Sequence, residues 1–440
     1  MIGRTTSGDG HDYVPGHGDE SFAVQAYDLE LVYTPDGNRL EGVATLTCEA
    51  LEESTTLTLD LAHLSVAKVS VDARAARYSH RLGRLEVTLP SPLDVGEVCT
   101  VRIKYGGKPK PLRMRHHGEA GWEELDNGVL VAAQPHGAPT WYPCNDRPSD
   151  KATYHVIVSV PNDYLVAFSG EETSRRRGGS ATTWAFEQPV PIPPYLATLQ
   201  VGPYTERAQD ASVPMRLVAP TDAYGEGSEA AFGPQPEMLA LYEEKFGPYP
   251  FASYTAVITD DDLEIPLESA GLSTFGRNFC SGDWEHRRLV AHELSHQWFG
   301  NAVTCRDWSG IWLHEGFACY AEWLWSEEIG ERTADAWARH HHKRLSGLDQ
   351  DDLVLSDPGP ELMFDDRVYK RGALTVHALR LTVGDDTFFE ILRTWVAEHA
   401  GGTVDTEMFL EHCERVAGQD VRPVLGPWLD ELPLPDLPAA

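Results

Sequence analysis

Three side chains able to share one metal ion sit close together in the chain: His292 and His296 in His292-Glu293-Leu294-Ser295-His296, and Glu315 in the apolar stretch from Ile311 to Ala318. On a helix, residues four apart lie one turn apart on one face, so both imidazoles can reach one ion while Glu293 projects beside it. Two imidazoles and one carboxylate are the ligand set that leaves zinc an open position for water. A metal site of this kind still needs a proton carrier. Glu293 is placed to take a proton from the attacking water and return it to a departing amine. The turn-like stretch from Asn301 to Ser309 separates the histidine pair from Glu315, which lets a second helix run back against the first. His314, beside Glu315, falls on another helix face and reads as a supporting or structural residue.

A further carboxylate, Glu268, follows the apolar Ile265-Pro266-Leu267 just before a strand-like segment. It either faces solvent or pairs with a substrate ammonium. The acidic run Asp260 to Asp262 before it reads as a solvated turn.

These residues need a scaffold of two kinds. From about Phe22 to Tyr204 the sequence alternates apolar and polar residues, as in Leu29 to Tyr33, Val43 to Thr47, Val101 to Tyr105 and Tyr154 to Val160, with turns at Pro35-Asp36-Gly37 and Pro161-Asn162-Asp163. This half reads as antiparallel β. The Gly-, Lys- and Glu-rich segment 106–128 reads as a surface excursion. Beyond about Pro236 the period becomes helical, with helices expected at 236–246, 284–299, 312–327, 331–345, 369–382, 386–398 and 405–416, and strands at 254–258 and 271–275. The division is placed near 206. It gives a flexible segment 1–19, a β domain 20–205, a mainly helical domain 206–432 and a proline-rich tail 433–440.

At 440 residues the chain is long enough for two cores. With 68 acidic against 36 basic residues its formal net charge is -32, which repels phosphate backbones and anionic membranes, so no nucleic acid or membrane partner is expected. Seven scattered cysteines without a Cys-x-x-Cys pair read as reduced core residues. No apolar run is long enough to span a bilayer, and the first residues lack a leader's apolar core, so a cytoplasmic location is expected.

His-Glu-Leu-Ser-His-Gln-Trp-Phe-Gly-Asn at His292 to Asn301, Trp-Leu-His-Glu-Gly-Phe-Ala at Trp312 to Ala318, and the Tyr-Lys-Arg-Gly of Tyr369 to Gly372 closely resemble the motifs of the M1 family of gluzincin aminopeptidases. The resemblance implies a saddle-like antiparallel β domain followed by a thermolysin-like α+β, mainly helical catalytic domain. It implies one Zn2+ per chain held by His292, His296 and Glu315, with Glu293 as the acid-base residue and Tyr369 as the tyrosine that stabilises the transition state. Glu268 and Gln134 would bind the substrate amine, with Pro135, His136 and Leu267 as candidate pocket residues. The implied reaction is hydrolysis of the N-terminal peptide bond of short peptides, by a monomer or small homo-oligomer.

Several positions depart from the family pattern. Ile265 to Ser269 stands where the family has Gly-x-Met-Glu-Asn, keeping only the glutamate. Ala133 to Gly137 stands for Thr-Gln-x-Glu-x, which puts His136 in place of a second amine-binding glutamate; a protonated His136 would oppose the amine. Tyr369 is followed by Lys-Arg-Gly in place of Glu-Lys-Gly. The family's large C-terminal helical domain is expected to be absent, leaving an open cleft. Two other functions stay open: a zinc amidase or endopeptidase with a relaxed free-amine requirement, and a binding protein with a vestigial site.

Overall fold

The computed structural model describes residues 13–438. Long alternating strands build an eight-stranded sheet in the order Glu171–Arg177, Ala181–Ile192, Ala152–Pro161, Phe22–Thr34, Arg39–Ala50, Val98–Gly107, Ser65–Val71, Arg74–Ala75. Burial alternates strictly along most of these strands, which is why the period-two reading located them. One pairing inside this β domain is parallel: Phe22–Thr34 runs alongside Ala152–Pro161, with Ala26 opposite Thr153 and Val32 opposite Ser159. A five-stranded sheet, Leu165–Phe168, Leu199–Gly202, Gly128–Ala132, Gly118–Leu125 and Leu112–Met114, faces the second domain. The segment read as a surface excursion therefore contains two strands, Leu112–Met114 and Gly118–Leu125, and Trp122 in the second is fully buried, its indole N–H donating to Asn38 Oδ1.

The second domain opens with another five-stranded sheet, Tyr204–Gln209, Met215–Pro220, Tyr254–Ile258, Leu272–Phe275, Leu267–Ser269. The chain passes from one sheet to the other at Pro203, so position 206 falls inside a strand. This domain holds nine α-helices among the described residues, the first two between strands Met215–Pro220 and Tyr254–Ile258 and the rest after the sheet: α1 Glu226–Phe232, α2 Gln235–Phe246, α3 Trp284–Ser295, α4 Trp312–Glu328, α5 Ala334–Leu345, α6 Asp366–Val383, α7 Asp385–His399, α8 Thr406–Ala417 and α9 Arg422–Asp430. Helix starts follow their capping residues: Thr333, Asp365 and Asp405 each accept a backbone N–H from the first turn of α5, α6 and α8. Two helices, α1 and α9, escape sequence reading. The first is short and holds a glycine; the second carries Pro423 and Pro427, which argue against a helix when read locally.

Both ends of the described chain are fastened. In the segment expected to be flexible, Tyr13 and Val14 are buried, while residues 1–12 lie outside the described residues. At the other end, the Arg371 guanidinium donates to the carbonyls of Trp428 and Leu432, His342 binds the Pro435 carbonyl at 2.8 Å, and Leu434 and Leu437 pack on the core.

Candidate active site

The two long helices α3 and α4 lie side by side, and their facing turns carry the metal-ligand candidates. His292 and His296 are buried on α3 and at its end, and Glu315 is buried in the first turn of α4. Glu315 Oε2 lies 3.4 Å from the Nε2 of each histidine. The three ligand atoms lie within 4.8 Å of one another. Donors about 3.3 to 3.6 Å apart are the edges of a tetrahedron with bonds of about 2.0 to 2.2 Å, so the spacing fits zinc.

The other ring nitrogens are committed. His292 Nδ1–H donates to Glu322 Oε1 at 2.8 Å, and His296 Nδ1–H donates to the Phe299 carbonyl at 3.0 Å. Each bond fixes a tautomer that leaves the Nε2 lone pair pointing at the ion position. Glu322 was not singled out in the sequence, although it lies seven residues, two helical turns, past Glu315 on the same face of α4. Against the upward push of burial, Lys370, Arg288 and His292 hold its carboxyl down at about 2. It is therefore ionised and able to orient the imidazole.

The electrostatics also suit a cation. The carboxylates of Glu268, Glu293 and Glu315 converge on two imidazoles, and although burial disfavours its charged form, His296 is raised to about 10 by these neighbours. Burial, with Glu268 and Glu315 adding and the histidines opposing, pushes Glu293 up to about 8. Burial and the same three carboxylates raise Tyr369 well above the usual phenol range, keeping it a hydrogen-bond donor.

Close packing of glycines puts Tyr369 in place. Gly316 of α4 and Gly372 of α6 touch backbone to backbone: a Cβ on Gly316 would meet the Gly372 Cα at 2.8 Å. That crossing sets Tyr369, just N-terminal to Gly372, against the site, its ring stacked 6.0 Å from the His292 ring. Gly300, at φ +116°, turns the chain after α3 close beneath His296, where a Cβ would stand 3.2 Å from Nδ1.

Glu268 sits on the edge strand Leu267–Ser269, which the turn that follows α3 holds from behind. Gln297 Oε1 accepts the Gly271 N–H at 2.7 Å, while Gln297 Nε2 and Asn301 Nδ2 both donate to the Ser269 carbonyl. The carboxylate, Glu293 and His296 bring ligand atoms within 4.8 Å of one another, so Glu268 faces the same space. That space is a cavity of about 700 Å³ lined from the β domain by Gln134 and Glu123, and from the helical domain by Leu267, Glu268, the metal-ligand candidates and Tyr369.

Two candidate pocket residues lie elsewhere. His136 is fully buried behind the wall, its Nε2–H donating to the Leu112 carbonyl at 2.9 Å, and burial pushes it down to about 4. It is neutral and opposes no amine. Pro135 is buried beside it and does not line the cavity. Gln134 does line it, with its Nε2 unpartnered among the described residues. His314 is structural: its Nε2 accepts the Cys305 N–H at 2.7 Å, and burial pushes it down to about 3.

Comparison with known proteins agrees with this geometry. The Peptidase family M1 domain model matches residues 230–428 and the Peptidase M1 N-terminal domain model matches residues 23–196. The crystal structure of an M1 zinc metallopeptidase from Deinococcus radiodurans superposes with a TM-score of 0.89 at 35% identity, over 98% of this chain and 99% of that one. A mutant form of that enzyme bound to a Tyr-Ser-Ala substrate gives a TM-score of 0.90 at 34% identity, with 98% and 99% covered. Aminopeptidase M1-A of Oryza sativa subsp. japonica is 26% identical over 92% of this chain and 50% of its own length. The chain thus spans about half the length of that curated relative. Leukotriene A-4 hydrolase of Xenopus laevis is 26% identical over 88% of this chain and 67% of its own length. With its two-domain fold and a buried donor set spaced for zinc, the chain belongs to the M1 family of zinc metallopeptidases.

Proposed function

We propose that the protein is an aminopeptidase that removes the first residue of short peptides. Glu268 carries this reading: a carboxylate held rigidly in the same cavity as the metal-ligand candidates is a partner for a substrate ammonium, and it limits cleavage to the bond next to a free amine. His292, His296 and Glu315 would hold the zinc ion, which supplies Lewis-acid polarisation of the scissile carbonyl and lowers the pKa of water. Glu268 and Gln134 fix the amine, Glu293 carries the proton from water to the leaving nitrogen, and the Tyr369 hydroxyl donates to the oxygen that gains negative charge. The Leu267 side chain contributes apolar surface for the first residue.

Among the described residues no helix is long and apolar enough to cross a membrane, and all seven cysteines are unbridged. Free thiols suit the reducing cytoplasm, where we place the protein. The test compares an amino-acid anilide with its N-acetylated form. Turnover confined to the free amine, with kcat/KM lowered about 100-fold by Glu268→Gln, supports an aminopeptidase. Equal turnover of the two forms supports the amidase or endopeptidase reading instead.

A further inference from the structure

The residue after Tyr369 is Lys370. The residue is only 8% exposed, and among the described residues its ammonium has one hydrogen-bond partner, the Cys319 Sγ at 3.1 Å. The adjacent Glu322 does not pair with it directly: one oxygen takes the His292 N–H, and the other takes Arg288 Nη1 at 3.3 Å. Burial pushes the Cys319 thiol up to about 12, so the thiol does not neutralise the lysine. An ammonium has three donors, and a buried one left with a single sulfur acceptor is under-satisfied.

Its surroundings show where the missing acceptor would come from. Lys370 and Arg288 line the main cavity and also a side cavity of about 260 Å³ that branches from it. Trp284, Trp323, Trp337 and His341 share its wall with Glu285, Glu322 and Asp366, and these three carboxylates pair with Arg288 or Arg344, while no carboxylate pairs with Lys370 among the described residues. Glu268 and Gln134 line only the main cavity. A peptide whose amine rests on Glu268 and whose first carbonyl lies over the metal-ligand set can extend its next residue toward the wall that the two cavities share, where Lys370 stands.

We propose that Lys370 binds a carboxylate carried by the residue just past the scissile bond, Arg288 beside it being held already by Glu285 and Glu322. This rests on the aminopeptidase reading and extends it to a substrate class. The anion has two sources, the terminal carboxylate of a dipeptide or the side chain of Asp or Glu in second place. Both have the same chemistry for a lysine at the mouth of the branch.

The test pairs Leu-Gly with Leu-Gly amide and Leu-Glu amide with Leu-Gln amide. Binding is read by calorimetry on zinc-loaded Glu293→Gln protein, and kcat/KM on the wild type. A preference of about tenfold or more for the anionic member of either pair is expected, and which pair shows it identifies the source. In Lys370→Met, or in Lys370→Gln should the first variant not fold, that preference falls to within about twofold, while Lys370→Arg retains it. Wild-type binding within about twofold for both pairs overturns the inference and needs no variant. A preference that survives removal of the lysine charge overturns it as well. N-acetyl-Leu-Gly separates the two claims: its rejection with no preference in either pair leaves the aminopeptidase standing, whereas its turnover at the rate of Leu-Gly removes the aminopeptidase reading itself.

Discussion

The His292–Glu322 bond shows how much of a metal site lies behind its ligands. A neutral imidazole binds an ion well only when its second nitrogen is anchored, and a carboxylate is the strongest available anchor. Glu322→Gln should weaken zinc binding about 10- to 100-fold, measured by competition with a chromophoric chelator, while the fold stays intact. Glu293→Gln should do the opposite, keeping zinc content and lowering kcat by about 100- to 10,000-fold. At this scale the sequence was informative wherever function follows from short spacing: the histidine pair, Glu293 and Glu315 are readable from one helical turn and a return segment. It was uninformative for His136, whose neutrality comes from burial and from the nearby His17 and His117, against the opposing pull of the Leu112 carbonyl, all residues distant from it in sequence.

Pairs of elements set the positions of Glu268 and Tyr369. The edge strand is held by Gln297 and Asn301 in the turn after α3, and α6 is drawn against α4 by the glycine contact. Gly316→Ala places a methyl against backbone that has no free side-chain end to move. It should cost about 1 to 3 kcal/mol, seen as a lower melting temperature, and displace Tyr369 enough to reduce kcat. Helices with a clean 3.6-residue period and a capping residue were located to within a few positions, because those signals are local. The parallel pairing of Phe22–Thr34 with Ala152–Pro161 was not, since alternation shows that a strand exists but not which strand lies beside it.

Across the whole molecule, the cavity exists because two domains meet, and one lysine ties them behind the metal-ligand helix. Lys151, next to the strand Ala152–Pro161 of the β domain, reaches across to the carbonyls of Ala302 at 2.9 Å and Gly402 at 2.8 Å. Lys151→Met would remove two charge-assisted bonds and leave the Ala302 and Gly402 carbonyls with only the Gly401 and Thr304 N–H donors, so a loss of about 1 to 3 kcal/mol in unfolding free energy is expected, with greater protease sensitivity near Ala302. Nothing in the local sequence around Lys151 marks this role, which depends on residues about 150 and 250 positions away. The division of labour between the domains rests in turn on the site they enclose. Anomalous diffraction at the zinc edge from crystals of zinc-loaded protein tests that site most directly. A single strong peak about 2.0 to 2.2 Å from His292 Nε2, His296 Nε2 and a Glu315 oxygen is the expected result. Zinc bound elsewhere in active enzyme, or a peak without Glu315 beside it, would contradict it.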